Sequence, residues 1–318
     1  MTRAGRLCVG AAVLMLGACG CLNLGPLLTG RMETVVVRRS PRWMDCNRVA
    51  LIDLDGFLGD RSGRALPMTT VADVREKLDS AARDARVRAI VVRVDSPGGG
   101  AAASDMMYRQ IQQFRSETGR PVVAALMTTA ASGGYYVALP ADRIVAAPTT
   151  VTGSVGAVMT VVNVEGLLGK IGVRSDSIKS GEVKDIGSAT RTMTPQERAL
   201  LEGVIRSYSQ RFLDLVRQHR PQMTEEAIRT ISDGRILTAE QALELGMVDR
   251  IGYLDEAIEE ACRLAGIETA EVVLYRPFPH YNENIYARAP SGGAGAPLSA
   301  MDLLSCPVGP LYLWAPGL

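Results

Sequence analysis

The sequence predicts an α/β domain on three observations. Apolar runs of strand length recur along the chain, helix-patterned stretches separate them, and two runs end in glycine-rich turns. In chain order, VALIDLDGFLG at 49–59 is a strand pattern ending in glycine. VADVREKLDSAARDA at 71–85 places Val71, Val74, Leu78 and Ala81 or Ala82 at helical spacing. The strand RAIVVRV at 88–94 leads through DSPGGG (95–100) to a helix near 103–116, and PVVAALM at 121–127 leads through AASGGYY (130–136) to another. RIVAAP at 143–148 and SVGAVMTVVN at 154–163 read as further strands.

The stretch 192–220 carries the strongest helix signal. Thr194 is the N-cap, Pro195 stands at N1 and Glu197 closes a capping box, while Leu201, Ile205, Tyr208, Phe212 and Leu215 form one apolar face, read as core. A second capped helix, from Thr238 to Leu245, stops at Gly246, the expected left-handed terminator. From Glu271 onward Pro, Gly, Ala and Ser accumulate, so the domain is expected to span 48–275 and residues 276–318 to form a Pro/Gly-rich tail.

At the other end, Arg3 and Arg6 precede an uncharged run whose first part, LCVGAAVLMLGA, has the character of a signal-peptide apolar region. Residues 16–19 spell LGAC, which resembles the lipobox of bacterial lipoproteins. That likeness implies cleavage after residue 18 and a lipid on Cys19, on the exported side of a bacterial membrane. An uncleaved anchor is the rival, although Asn23, Gly25 and Pro26 interrupt it. Residues 19–47, ending in the mixed-charge stretch 31–47, read as a linker.

Composition excludes some classes. Lys plus Arg is 35 against 34 for Asp plus Glu, and no basic stripe with interleaved aromatics appears, which argues against nucleic-acid binding. The six cysteines, Cys8, Cys19, Cys21, Cys46, Cys262 and Cys306, show neither zinc spacing nor a disulfide framework. Nothing requires a metal or cofactor.

A strand feeding a helix through a glycine turn leaves backbone N–H groups free, and two such turns can form an oxyanion hole. Ser132 lies inside the second turn with Gly133 directly after it, which makes it a candidate nucleophile. The two histidines, His219 near a helix end and His280 in PFPHYN, look structural; a triad needs one of them to fold back onto Ser132. Lysine is scarce, occurring only at positions 77, 170, 179 and 184, and unlike arginine it can lose its proton when desolvated. Lys184 in SGEVKDIGS is therefore the candidate base, which requires lowering its pKa by about 3 units at a cost of about 4 kcal/mol. In an extended segment Asp185 would face away, while Glu182 could share the lysine's side and hold it protonated.

The ordered set DSPGGG, AASGGYY, TGSVG (152–156) and SGEVKDIGS (180–188) resembles the signal peptide peptidase A family, family S49. These are serine peptidases with a Ser/Lys dyad on a Clp protease/crotonase-like fold of repeated β-β-α units. The likeness spans 48–275 and includes residues 233–257, similar to that family's closing helix and strand. It implies Ser132 as nucleophile, Lys184 as general base, Ser154 as the residue orienting the lysine, and Gly99 and Gly133 as oxyanion-hole donors. It also implies no cofactor, peptide substrates such as cleaved signal peptides and other hydrophobic segments met at the membrane, and a ring-like homo-oligomer completing active sites between protomers. The rival readings are a crotonase-like acyl-CoA enzyme and a lipoprotein scaffold that kept the fold without activity.

Overall fold

The structure, a computed structural model, describes residues 32–42, 46–60, 68–277 and 311–314. The expected signal segment, Cys19 and His280 lie outside them. The core is a sheet running β1 (Met32–Arg38), β10 (Glu271–Pro277), β2 (Arg48–Gly59), β4 (Val87–Gly100), β5 (Val122–Ala131), β6 (Arg143–Ala146), β9 (Arg250–Ile251). From β10 to β9 all pairings on this path are parallel; β1 is antiparallel to β10. The short strands β3 (Met68–Thr70), β7 (Val151–Gly153), β8 (Ile236–Thr238) and β11 (Leu311–Leu313) pair at its margins. The α/β class is as expected, and β2, β3 and α1 (Val71–Arg83) form one β-β-α unit.

Strand side chains alternate between faces, so the sheet divides the interior in two. Ile52, Leu54, Ile90, Val92 and Leu126 face α1, α2 (Ala101–Thr118), α3 (Gly133–Ala138) and α5 (Pro195–His219). Leu51, Val91, Val123 and Ala125 face α8 (Leu254–Leu264) through Leu254, Ala257, Ile258 and Ala261. Each fully buried Val, Leu or Ile among these contributes about 1.5–3 kcal/mol on burial, the alanines less. Between β2 and β4 a charged pair, Arg93 Nε to Asp53 Oδ1 at 2.7 Å, is almost completely buried.

The capping boxes are formed at Thr194 with Glu197 and at Thr238 with Gln241, the latter opening α7 (Ala239–Glu244), and Gly246 has φ +79°. Five expectations change. Residues 32–38, read as linker, form β1, because β10 offers them an open edge. DSPGGG is extended rather than a turn, being the end of β4. Residues 154–163 are not a strand: only Val158 bridges, to Leu311, and Val158, Val161 and Val162 are exposed with no sheet to cover them. The apolar face of α5 is core only in its second half. Phe212 and Leu215 are buried, whereas Leu201 and Ile205 border an open cleft of roughly 550 Å³ with Val158, Met159, Val161 and Met193. The segment read as tail contributes β11, discussed below.

Candidate active site

The sheet delivers Ser132 and Ser154 to one place. The last residues of β5 run parallel to β7, with Ala131 opposite Gly153, so the two serines are the next residue on each strand. The Ser132 N–H donates to the Gly153 carbonyl at 2.8 Å, and the Ser154 N–H to that of Arg235 at 2.7 Å. Both serines have φ 51°, and among the described residues they are the only non-glycines in the positive-φ region. Such a conformation costs about 1–3 kcal/mol per residue and persists only where the surroundings impose it. Ser132 is 1% exposed and Ser154 half-buried; neither hydroxyl hydrogen-bonds to a described residue.

The glycines around Ser132 are explained by close backbone approach. A Cβ on Gly99 would lie 2.1 Å from the Leu58 carbonyl oxygen in β2. One on Gly98, at φ +103°, would lie 1.9 Å from the Tyr312 carbonyl oxygen and 2.7 Å from the Gly133 nitrogen. One on Gly133 would lie 2.5 Å from Ser104 Oγ. The end of β4 and the start of α3 thus meet backbone to backbone, and the Gly133 nitrogen and the Tyr312 carbonyl oxygen border one small space. Ser96 shapes this end of β4: its hydroxyl donates to the Gly56 carbonyl at 2.6 Å and accepts from the Gly98 N–H at 3.0 Å. Ser104, whose buried hydroxyl has no partner, and Tyr312 are site neighbours that sequence reading missed. Ser104 lies on an ordinary helix, and Tyr312 lies in what reads as a tail.

Lys184 is not brought to Ser132 within the single chain. Its side chain is exposed and makes no hydrogen bond or ion pair with Ser132 or Ser154. The extended conformation anticipated there is replaced by turns, with Lys184 N–H donating to the Gly181 carbonyl at 3.2 Å and Ile186 N–H to that of Val183 at 3.1 Å. Asp185 beside it is engaged by other cations. Asp185 accepts from Lys179 Nζ at 2.6 Å and from Arg191 at 2.7 and 2.8 Å, and these bonds hold its carboxyl well below the usual carboxylate range. Arg191 also grips Glu197, which with the Thr194 backbone N–H lowers the glutamate pKa to about 2. Glu182 forms no ion pair with Lys184. Of the other lysines, Lys77 is buried and donates to the Asp53 carbonyl at 2.9 Å. His219 meets the Tyr108 hydroxyl at 2.7 Å rather than Ser132, and burial, with Arg115 and Arg220 nearby, pushes its pKa down.

Comparison with known proteins supplies the family. Residues 115–268 match the description Peptidase family S49. A Synechocystis sp. protein provisionally named a protease, slr0021, is 35% identical over 227 residues, covering 71% of this chain and 78% of its own. Protease 4 of Salmonella typhi is 36% identical over 211 residues, covering 66% of this chain but 33% of its own length, so this chain matches about a third of it. Among solved structures, a membrane-bound stomatin-specific protease, 1510-N, aligns with a TM-score of 0.43 at 18% identity, over 72% of this chain and 97% of that one. By the extent and identity of these sequence matches the chain belongs to peptidase family S49, the serine peptidase family of Clp protease/crotonase-like fold that its motifs resemble.

Proposed function

We propose that the chain is an endopeptidase in which Ser132 is the nucleophile and Lys184 the general base, acting on hydrophobic peptides such as cleaved signal peptides on the exported side of a bacterial membrane. Ser154 orients the lysine amine, and the Gly99 and Gly133 N–H groups receive the oxyanion. The observation that carries this reading is the strained, buried turn at Ser132, held by the β5–β7 register with the Gly133 nitrogen beside it. In the reaction Lys184 takes the hydroxyl proton as Ser132 attacks the peptide carbonyl, returns it to the leaving amine, and then activates water for deacylation. The enzyme is held at the membrane by a lipid on Cys19 or by an uncleaved leader; the mass of the mature N-terminus distinguishes the two. Among the described residues no helix is long and apolar enough to cross a membrane.

Exposure of Lys184 fits a dyad completed between subunits. The segment carrying it also exposes Leu167, Ile171, Val173, Ile178 and Val183, a surface suited to covering by a second copy. The test is complementation. Ser132→Ala and Lys184→Ala each abolish hydrolysis of apolar peptides, and Lys184→Arg is equally inactive because arginine keeps its proton. Co-assembling the two alanine variants in equal amounts restores about a quarter of wild-type activity by random assortment if each site draws from two subunits. Full activity in Lys184→Arg removes the base, and a mixture as inactive as its components removes the sharing.

A further inference from the structure

The loop that carries Lys184 is held by charge more than by core. Lys179, Asp185, Arg191 and Glu197 stand six residues apart, alternate in sign and join end to end. Lys179 Nζ donates to Asp185 Oδ1 at 2.6 Å and to the Glu182 carbonyl at 2.8 Å, which closes the loop from its N-terminal side. Arg191 closes it from the other. Its Nε donates to Asp185 Oδ2 at 2.8 Å and its Nη2 to Oδ1 at 2.7 Å, a two-bond fork that fixes orientation as well as distance. The same guanidinium donates through Nη1 to Glu197 Oε2 at 2.8 Å. The Glu197 side chain is 3% exposed and belongs to the capping box that opens α5, so this end of the series is fixed in a long helix. A second tie runs to the start of α4 (Glu165–Lys170): the Thr192 hydroxyl donates to Glu165 Oε2 at 2.7 Å, and the Asn163 amide donates to the Arg191 carbonyl at 3.3 Å.

Two consequences reach Lys184, which directly precedes Asp185. A lysine amine ends a flexible four-carbon stem, so its aim depends on where the backbone is held, and a reacting group has to be placed to within about 0.5 Å. Both Asp185 oxygens are also engaged by Lys179 and Arg191, and a carboxylate so engaged does not pair with the adjoining amine and keep it charged. We propose that Arg191 is a positioning residue for the base: it anchors the Lys184 loop to α5 and holds the Asp185 carboxylate away from the lysine amine. This rests on the Ser132–Lys184 reading above and adds to it the residue that sets the base in place. Arginine is required at this position because a lysine ammonium cannot present a planar fork to one carboxylate while bonding a second.

Steady-state hydrolysis of an apolar peptide across pH, by the full chain, tests this. Arg191→Ala is expected to lower kcat roughly 100-fold with KM within about twofold, the effect of a base displaced by about an ångström. The freed Asp185 carboxylate then holds the lysine proton, so the rising limb of kcat against pH moves up by about one unit. Adding Asp185→Asn to Arg191→Ala returns the limb to its wild-type position while kcat stays low. Lys179 and Glu182 on the loop, Glu165 on α4 and Glu197 on α5 are common to these variants, so the comparison isolates Asp185. Arg191→Lys, which keeps the charge without the fork, is expected to lose about tenfold in kcat. Hydrogen exchange gives a reading without hydrolysis. In Arg191→Ala it is expected to quicken at least about tenfold at Lys184, Ile186 and Ser188, whose amides close the turns of the loop, and to stay within about twofold in β4 and β5. Wild-type kcat and pH profile in Arg191→Ala, beside an inactive Lys184→Ala, overturn the positioning role alone. So does a loss of kcat with an unmoved limb, which is damage to the fold rather than displacement of the base. An active Lys184→Ala removes the dyad reading, and the positioning role with it, whatever Arg191→Ala does.

Discussion

The two halves of the proposed dyad sit in contrasting surroundings. Ser132 is buried at the end of a parallel sheet, with its backbone tied to β7 and glycines packed against β2 and α3. Lys184 sits in a run of turns whose residues are mostly exposed, stabilised largely by the local pairs Lys179–Asp185 and Arg191–Asp185. The nucleophile's geometry is therefore intrinsic to one subunit. The proposed base is set on a surface whose apolar side chains are exposed among the described residues.

That contrast can be broken most severely at Gly99. A methyl group there meets backbone, the Leu58 carbonyl, at 2.1 Å, so neighbouring side chains cannot yield to it. Gly99→Ala is expected to lose about 1–3 kcal/mol of stability by overpacking and to lower kcat/KM more than the stability loss explains. Chemical denaturation beside steady-state kinetics separates the two effects. A fully active, equally stable Gly99→Ala would show that the platform is not rigid.

The next test acts on the arm. Ile178 is fully exposed, so Ile178→Asp is expected to leave the unfolding midpoint of the subunit within about 0.5 kcal/mol of wild type. If the arm is covered by another copy, the same change lowers the oligomeric mass and the peptidase activity together, as read by light scattering and hydrolysis. Unchanged mass with unchanged activity would place the arm's apolar face outside any assembly.

The smallest effect is electrostatic. Glu197 has its pKa lowered to about 2 by Arg191 and the Thr194 N–H, against an ordinary value of 4.5. A depressed carboxylate pKa stabilises the folded form above the unfolded value and loses that contribution as pH falls through the folded one. Hydrogen exchange over residues 185–198 should therefore accelerate as pH drops from 4.5 toward 2, after correction for intrinsic exchange. Glu197→Gln should flatten that dependence and exchange faster at neutral pH. A variant retaining the wild-type acid profile would move the titration to Asp185, which Arg191 holds in the same way.

Much of the sheet was legible because its strands are buried on both faces and read as apolar runs, as at Val91–Val94 and Val122–Leu126. The caps of α5 and α7 were legible because hydroxyl and carboxylate or amide stand at the required spacing. Ser132 and its neighbouring glycines could be singled out, since local backbone demands leave a local signature. Extension of β4 through DSPGGG was not, because glycine and proline ordinarily signal a turn, and only Leu58 and Tyr312 across the sheet show why they form a strand here. Residues 154–163 and the first half of α5 carry apolar patterns without a core to receive them, a difference that periodicity cannot express. The place of Tyr312 depends on pairing across more than 200 residues of chain, for which nothing near position 312 gives a sign.

The position of β10 has a consequence for the order in which the molecule can be completed. It is inserted between β1 and β2, so the first two strands never touch along the main path of the sheet, and the side of β2 away from β4 is closed over Arg48–Leu51 by residues 271–274, β3 pairing only with its far end at Phe57–Gly59. A nascent chain halted before that point would present Val49 and Leu51 on an unpaired edge, ready to add a strand from another molecule. Closure of the sheet only after residue 277 has emerged, as the proposed export of an unfolded chain entails, would keep that edge from persisting on a half-built domain.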